Sequence, residues 1–340
     1  MGVRKPSAPV NGAIPRTSRA TGAASGAVRH NIIYGLSAND FAIEDNGVEQ
    51  LVTLDEMSDE EPASLVVAIQ VGRSAKFQFT KRDDLALSDM FSSEAERKDC
   101  RLKKHPCSTS MGGLGSMLEA FNTETKGEIA VVTFDSQVRL FQDFTADIEP
   151  LSKKLKLLTP GDNGAAMLDT VRYSLELLQQ RARFRRHVLI LICDGHDYGS
   201  LAEPLSDLVQ RLSIGNIIVY SLSFSPLRAP FFQGLRNDAS ANVHEGILSP
   251  IRSSIQAMHR NLAQGIAEAT GGEYLKFKDK NSFDAAFMEA DNGVRNRYPL
   301  SFQAKSVKPG PHSIHVRLRN SRTDIVVKAR DSYWATRSTP

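Results

Sequence analysis

The stretch SLVVAIQVGRSA, from Ser64 to Ala75, decides the fold of this chain. Its apolar run ends abruptly in Gln-Val-Gly-Arg-Ser, which indicates a buried strand that delivers polar groups to one edge of a sheet. A strand that is apolar on both faces is expected where helices cover both sides of a parallel sheet. In such a fold, ligands bind beyond the carboxyl ends of the strands. The stretch therefore predicts an α/β protein whose functional groups follow Ile69.

The same pattern continues along the chain. From Leu65 onward, apolar strands such as HVLILICD (187–194) and NIIVYSLSF (216–224) alternate with amphipathic segments such as 165–181, which have helical periodicity. The runs EIAVVTF and QVRLF flank the tight turn Asp135–Ser136, so these two strands should pair antiparallel. We therefore predict a doubly wound, Rossmann-like sheet with one antiparallel edge strand.

Both ends of the chain predict β structure. In FAIEDNGVEQ (41–50), an Asn-Gly pair separates two short apolar runs, which is a strong hairpin signal. YPLSFQA, SIHVRLR and DIVVKAR are strand candidates near the C-terminus. We predict that they join the hairpin in a small β element. The expected division is a disordered basic tail (1–30), a β hairpin with an acidic linker (31–60), the α/β domain (64–297, with a charged insertion at 76–108) and a C-terminal β segment (298–335).

Composition excludes several classes of function. The net charge of +3 over 340 residues is too small to predict a nucleic-acid partner. No apolar run is long enough to span a bilayer. The first 30 residues carry basic groups but lack the apolar core of a secretory signal. We therefore expect either that the protein is cytoplasmic or that the recorded start of the sequence is wrong.

The order and spacing of several motifs resemble a von Willebrand factor type A (VWA) domain, and more narrowly a VWFA-related family found mainly in bacteria. The resemblance covers roughly Leu36 to Trp334. The motifs that carry it are GLSANDFAIEDNGVEQ, VVTFDSQVRLFQDFT, GDNGAAMLDTV, LILICDGHD, TGGEYLKF, VRNRYPLSF and VKARDSYW. The resemblance implies a protein-interaction module, and an exported one, since relatives usually begin with a signal peptide.

The resemblance also implies a divalent-cation site at the top of the sheet, from which this sequence departs. The family's Asp-x-Ser-x-Ser falls at Gln70, Gly72 and Ser74, and its threonine falls at Ala165. The late aspartate is retained as Asp194. One carboxylate and one hydroxyl make a poor magnesium site. We therefore expect a degenerate metal site, with no required cofactor.

The leading expectation is a non-enzymatic module that binds a protein partner at the top of the sheet. The candidate positions are Gln70, Gly72, Arg73, Ser74, Ala165, Asp169 and Asp194. Arg73 would supply a fixed positive charge there. The alternative is a cation-dependent adhesion module in which Mg²⁺ is bound by Ser74 and Asp194.

Other groups of residues give weaker indications of function. His196 beside Asp194 could polarise Ser74 or Ser200 in a hydrolase, but no Gly-x-Ser-x-Gly turn supports this reading. Cys100, His105 and Cys107 lack a fourth zinc ligand. The basic run RARFRRH (181–187) is typical of the end of a helix, where cations complement the helix dipole. The segment TPGDNGA (159–165) lacks the lysine of a P-loop and does not predict nucleotide binding.

Overall fold

The computed structural model describes residues 12–15, 18–20, 33–54, 62–72, 114–155, 158, 161–162, 164–182, 184–200, 205–224, 261–278, 280–302, 304, 309–320 and 325–335. The predicted insertion, with its cysteines and His105, lies outside these residues. So do Arg73 and Ser74.

The strands, numbered in chain order, are β1 (Gly12–Pro15), β2 (Ser18–Ala20), β3 (Phe41–Asp45), β4 (Val48–Gln50), β5 (Val52–Leu54), β6 (Ala63–Gln70), β7 (Glu128–Phe134), β8 (Val138–Thr145), β9 (Arg186–Cys193), β10 (Ile218–Phe224), β11 (Tyr274–Phe277), β12 (Arg297–Phe302), β13 (Gly310–Leu318), β14 (Ile325–Val327) and β15 (Ser332–Ala335). The helices are α1 (Leu114–Thr125), α2 (Ile148–Leu155), α3 (Met167–Gln179), α4 (Leu205–Gly215), α5 (Leu262–Ala269) and α6 (Lys280–Arg295).

The central sheet has six strands in the order β11-β10-β9-β6-β7-β8. All neighbouring pairs are parallel except β7 and β8, which are antiparallel across the turn that the sequence predicted. Numbered within the sheet, this is the order 3-2-1-4-5-6 of doubly wound nucleotide-binding folds. The predicted doubly wound, Rossmann-like sheet with one antiparallel edge strand is confirmed.

The apolar run of β6 forms the middle of two cores. Leu65, Val67 and Ile69 pack with α1, α2 and α6 on one face. Val66 and Ala68 pack with α3, α4 and α5 on the other face. Every residue of β6 is buried because helices cover both sides of the sheet. The strand is therefore a rigid support for whatever follows it.

The two chain ends form one β unit, as the sequence predicted. β3 pairs antiparallel with β13, in the sheet β15-β13-β3-β4. The hairpin from β3 to β4 turns at Asn46 and Gly47, whose φ angles of 49° and 78° are those of a tight primed turn. A three-stranded sheet, β1-β12-β5, shares an apolar core with this four-stranded sheet.

Two short segments within the predicted basic tail form strands. β1 pairs with β12 and β2 pairs with β14. A strand added to an open sheet edge is stabilised by backbone hydrogen bonds, which do not depend on the side chains. Composition therefore gave no signal for these two strands.

A buried arginine connects the α/β domain to the β unit. Arg297, the first residue of β12, is 3% exposed. Its Nε donates to the Gly293 carbonyl at 2.8 Å, at the end of α6, and its Nη1 donates to the Gly271 carbonyl at 3.4 Å. Nη2 donates to the hydroxyl of Tyr220 in β10. One side chain thus satisfies groups from a helix, a loop and a strand.

Within the described ranges, no helix has the length and apolar character needed to cross a bilayer.

Candidate functional site

The candidate site lies where the strand order reverses, between the carboxyl ends of β6 and β9. Gln70 ends β6 and Asp194 follows β9, and the side chains of both are buried. Gln70 Nε2 donates to Asp194 Oδ2 at 3.2 Å, and the Asp194 backbone N–H donates to Gln70 Oε1 at 2.8 Å. A neutral amide thus pairs with the buried carboxylate of Asp194.

The other oxygen of Asp194 is occupied within its own loop. The His196 backbone N–H donates to Asp194 Oδ1 at 3.1 Å. The turn depends on Gly195, whose φ of +86° is in the left-handed region that favours glycine. The ring nitrogen His196 Nδ1 lies 3.0 Å from the Asp194 carbonyl oxygen. Both carboxylate oxygens of Asp194 therefore have protein donors.

Gly72 faces backbone rather than open space. The Gly161 N–H donates to the Val71 carbonyl at 2.6 Å, which brings the loop before α3 against the end of β6. A Cβ placed on Gly72 would lie 2.4 Å from the carbonyl oxygen of Gly164. Any residue with a side chain at this position, serine included, would require that loop to move.

The loop before α3 is also joined to the loop after β9. Ala165 and Tyr198 form an antiparallel bridge, with N–H to carbonyl distances of 3.1 and 2.8 Å. The Ala166 N–H donates to the Asp135 carbonyl at 2.7 Å. Three loops at the top of the sheet are therefore connected by backbone hydrogen bonds.

The first turn of α3 is capped from the loop after β9. The Leu168 N–H donates to Asp197 Oδ1 at 3.1 Å, and the Asp169 N–H donates to Ser200 Oγ at 3.2 Å. Ser200 Oγ in turn donates to Asp197 Oδ1 at 2.5 Å. Ala166, at the N-cap position, makes no side-chain cap, so Asp197 and Ser200 satisfy the free N–H groups of the helix.

A second polar cluster, at the end of β7, was missed by the sequence reasoning. Ser136 donates its N–H to Asp162 Oδ1 at 2.9 Å and its hydroxyl to Asp162 Oδ2. The hydroxyl hydrogen bond is the main cause that lowers the pKa of the Asp162 carboxyl. Asp135, 2% exposed, accepts from Arg139 Nη1 at 2.9 Å. The segment GDNG (161–164) contains Asp162, but in the sequence it indicated only a family motif and a P-loop without its lysine.

Two aromatic rings are exposed above these loops. The rings of His196 and Tyr198 are stacked, with centroids 5.7 Å apart and planes inclined by 19°. The side chain of His196 is 57% exposed, and Tyr198 is 43% exposed. Partial burial, and secondarily the nearby Asp194 carboxylate, raise the pKa of the Tyr198 hydroxyl.

The structure brings four of the predicted residues together: Gln70 and Asp194 in direct contact, and Gly72 and Ala165 beside them. Asp169 lies in the first turn of α3, where Arg172 Nη2 is 3.4 Å from its Oδ1. Arg73 and Ser74 lie outside the described residues. In the part of the chain that the structure covers, no group of three or more His, Cys, Asp or Glu residues could bind a metal ion.

The hydrolase reading gains no support from the geometry. Among the described residues, the ring of His196 hydrogen-bonds the Asp194 carbonyl, whereas the hydroxyl of Ser200 donates to Asp197. Cys193 is fully buried, and burial raises the pKa of its thiol. It is a small core residue at the end of an apolar strand.

Comparison with known proteins gives likenesses of structure. No family model matches the chain, and no curated protein matches it. A conserved hypothetical protein BatB from Bacteroides thetaiotaomicron is similar over 67% of this chain and 96% of its own, at 14% identity and a TM-score of 0.40. An aerotolerance-related membrane protein from Bacteroides fragilis NCTC 9343 is similar over 68% and 98%, at 14% identity and 0.41. The SpRpn10 VWA domain is similar over 68% and 97%, at 11% identity and 0.39. At these scores the assignment of the fold rests on the strand order and connections described above.

Proposed function

We propose that this chain is a non-enzymatic protein-interaction module. It binds a partner at the top of the sheet, around the carboxyl ends of β6 and β9, without a required cation. The observation that carries the proposal is the contact between Gln70 and Asp194. An amide lies where the family has a charged ligand, at the end of a strand that is buried along its whole length.

The oxygen atoms available at the site support partner binding that does not require a cation. Magnesium prefers an octahedron of hard oxygen ligands, usually including one or two carboxylates. Here Asp194 already accepts two hydrogen bonds, and the Gly164 carbonyl lies where a side chain on Gly72 would project. Ala165 offers no side-chain oxygen. These residues do not fit a site of the family's type.

The connected loops support a role in recognition. The bridge between Ala165 and Tyr198 and the capping of α3 by Asp197 fix the backbone at the top of the sheet. A surface that is rigid before binding loses less entropy when a partner docks. The exposed ring of Tyr198 belongs to a residue type enriched at interfaces.

A thermal-shift series tests the cation requirement. A metal that binds only the folded protein raises its Tm in a saturable way, according to RT ln(1 + [L]/Kd). We expect no saturable rise with magnesium, manganese or calcium. The alternative, in which Ser74 and Asp194 bind the ion, predicts a rise that disappears in Asp194→Asn and persists in the control Asp207→Asn on α4. That result would overturn the cation-free proposal.

Partner capture tests the location of the binding surface. We compare capture from native lysate by three proteins, with EDTA and with magnesium. They are the wild type, a top-face variant with Gln137→Trp and His196→Trp, and a control with Glu149→Trp. Glu149 lies at the start of α2, near the opposite end of the sheet. We expect a captured protein that the top-face variant loses and the control retains, in both buffers. Equal capture by all three proteins would contradict the proposal.

A further inference from the structure

The stacked rings of His196 and Tyr198, here called the ring pair, form an exposed aromatic surface on a fixed support. The backbone N–H and carbonyl of Tyr198 both hydrogen-bond the backbone of Ala165, so the ring projects from a short β-bridge rather than from a free loop. The His196 backbone is bonded to the Asp194 carboxylate. A rigid aromatic side chain gives contact area at a small entropic cost.

The segment that carries the ring pair offers two hydrogen-bond acceptors, one on His196 and one on Asp197. Because His196 Nδ1 lies 3.0 Å from a carbonyl oxygen, this nitrogen carries the proton and Nε2 is left as an acceptor. Asp197 Oδ1 accepts from Leu168 N–H and from Ser200, whereas Asp197 Oδ2 has no donor among the described residues. The groups still available therefore call for a partner that donates hydrogen bonds.

The local charge has the opposite sign to the charge of the whole chain. In the described parts of 161–172 and 194–200, the two segments around the ring pair, four residues are carboxylates and one is a cation, an excess of three negative charges: Asp162, Asp169, Asp194 and Asp197 against Arg172. Lys276 and Lys278, at the end of β11, add two cations farther along the same edge of the sheet. The complete chain has a net charge of +3. The charge of the whole chain therefore does not attract a basic partner, but the excess of carboxylates in these two segments does.

Building on the proposed function, we propose that the ring pair is the docking point for an arginine side chain of a basic partner segment. A planar guanidinium can stack on an aromatic ring while it donates to a carboxylate. Arginine offers five donors and no acceptor, which matches the acceptors at His196 Nε2 and Asp197 Oδ2. The partner thus presents a cation to this surface, in place of the carboxylate that a bound metal would attract.

Titration with short labelled peptides tests the inference. The probes are the heptapeptide Gly-Gly-Arg-Gly-Arg-Gly-Gly, capped at both ends, and the versions in which lysine or glutamate replaces arginine. Fluorescence anisotropy at low salt measures binding to the full chain. We expect saturable binding in the order arginine, lysine, glutamate. Binding of the glutamate peptide as tight as that of the arginine peptide would overturn the inference.

Matched variants locate the contact. Tyr198→Ala should weaken binding of the arginine peptide about threefold to tenfold through loss of the ring, and Tyr198→Phe should retain it. Asp197→Asn keeps an oxygen to cap α3 but removes the charge, and it should also weaken binding. Glu176→Gln removes one exposed acid from the flank of α3. If that control weakens binding as much as the ring-pair variants do, the peptide senses only charge and the inference is wrong.

The two proposals fail in different ways. If no arginine peptide binds at millimolar concentration, yet capture from lysate still depends on the top face, the inference fails and the proposed function stands. If capture does not depend on the top face, the proposed function fails, whatever the peptides do.

Discussion

Gln70 and Asp194 exchange two hydrogen bonds across the boundary between β6 and β9, although 124 residues separate them in the chain. The amide donates to the carboxylate through its nitrogen and accepts from the backbone through its oxygen. The side chain thereby satisfies two buried polar groups without adding a charge. This pair fixes the relative position of the two strand ends that flank the site.

Gln70→Glu tests the neutrality of this contact. The substitution has nearly the same shape but places two carboxylates in contact in a buried position, which raises the pKa of one of them. Because that pKa is raised in the folded state, the lost stability is greatest at neutral pH and is recovered as the pH falls through the raised pKa.

We expect Gln70→Glu to lower the free energy of unfolding by about 1–3 kcal/mol at pH 7 and by much less near pH 4. Urea unfolding at the two pH values measures the difference. Gln179→Glu, at the exposed end of α3, is the control. A loss that is equal at both pH values would show that the defect is steric rather than electrostatic.

Gly72→Ala tests the close approach of the loop before α3. The added methyl group would lie 2.4 Å from a backbone oxygen, which cannot rotate away as a side chain does. We expect a destabilisation of about 1–3 kcal/mol, measured by chemical unfolding. In the control Gly215→Ala, at the end of α4, the nearest atom is the tip of Ile217 at 3.1 Å. If the two variants lose equal stability, the loop does not press on Gly72.

Arg297→Leu tests the connection between the α/β domain and the β unit. The substitution leaves the carbonyls of Gly271 and Gly293 and the hydroxyl of Tyr220 without a buried donor. We expect a loss of about 3–5 kcal/mol, or failure to fold, in thermal and urea unfolding. The control Arg211→Leu removes an exposed ion pair with Glu176 and should cost less than about 1 kcal/mol. A tolerated Arg297→Leu would contradict the assigned role.

His187 predicts a specific pH dependence. Burial at the start of β9 lowers the pKa of its ring, and the nearby Arg185 acts in the same direction. As the pH falls through the unfolded value of about 6.5, the unfolded chain therefore binds the proton first, and stability is lost. We expect His187→Gln to have a smaller fall in Tm between pH 7.5 and 5.5 than the wild type.

The control for this series is His315→Gln, at an exposed position on β13. It should follow the wild-type profile. If His187→Gln also follows the wild-type profile, burial does not perturb the ring of His187.

Local signals predicted most of the fold. The apolar run before Gln70, the turn at Asp135–Ser136 and the Asn46–Gly47 pair each depend on neighbouring residues, so one sequence is enough to locate them. The type A resemblance placed Gln70, Gly72, Ala165 and Asp194 at one edge of the sheet, and the strand order brings them together. The sequence did not predict how they are bonded, because those contacts join segments far apart in the chain.

The missed features have the same origin. Asp162 hydrogen-bonds Ser136, 26 residues away in the chain. Tyr198 pairs with Ala165 through backbone groups, so the side chains give no signal for this contact. The strands β1 and β2 likewise form through main-chain hydrogen bonds to open edges. Tertiary contacts of this kind leave no periodic pattern in the sequence.

The pairing of β3 with β13 has a consequence for how the protein folds during synthesis. Asp45 and His312, which meet at 2.7 Å in this unit, are 267 residues apart. A ribosome adds about 5–20 residues per second, so the early hairpin leaves it about 10–50 seconds before its partner strand exists. The α/β domain can form in that interval, and its closure brings the two chain ends together. We therefore expect the β unit to be the last part of the chain to acquire its structure.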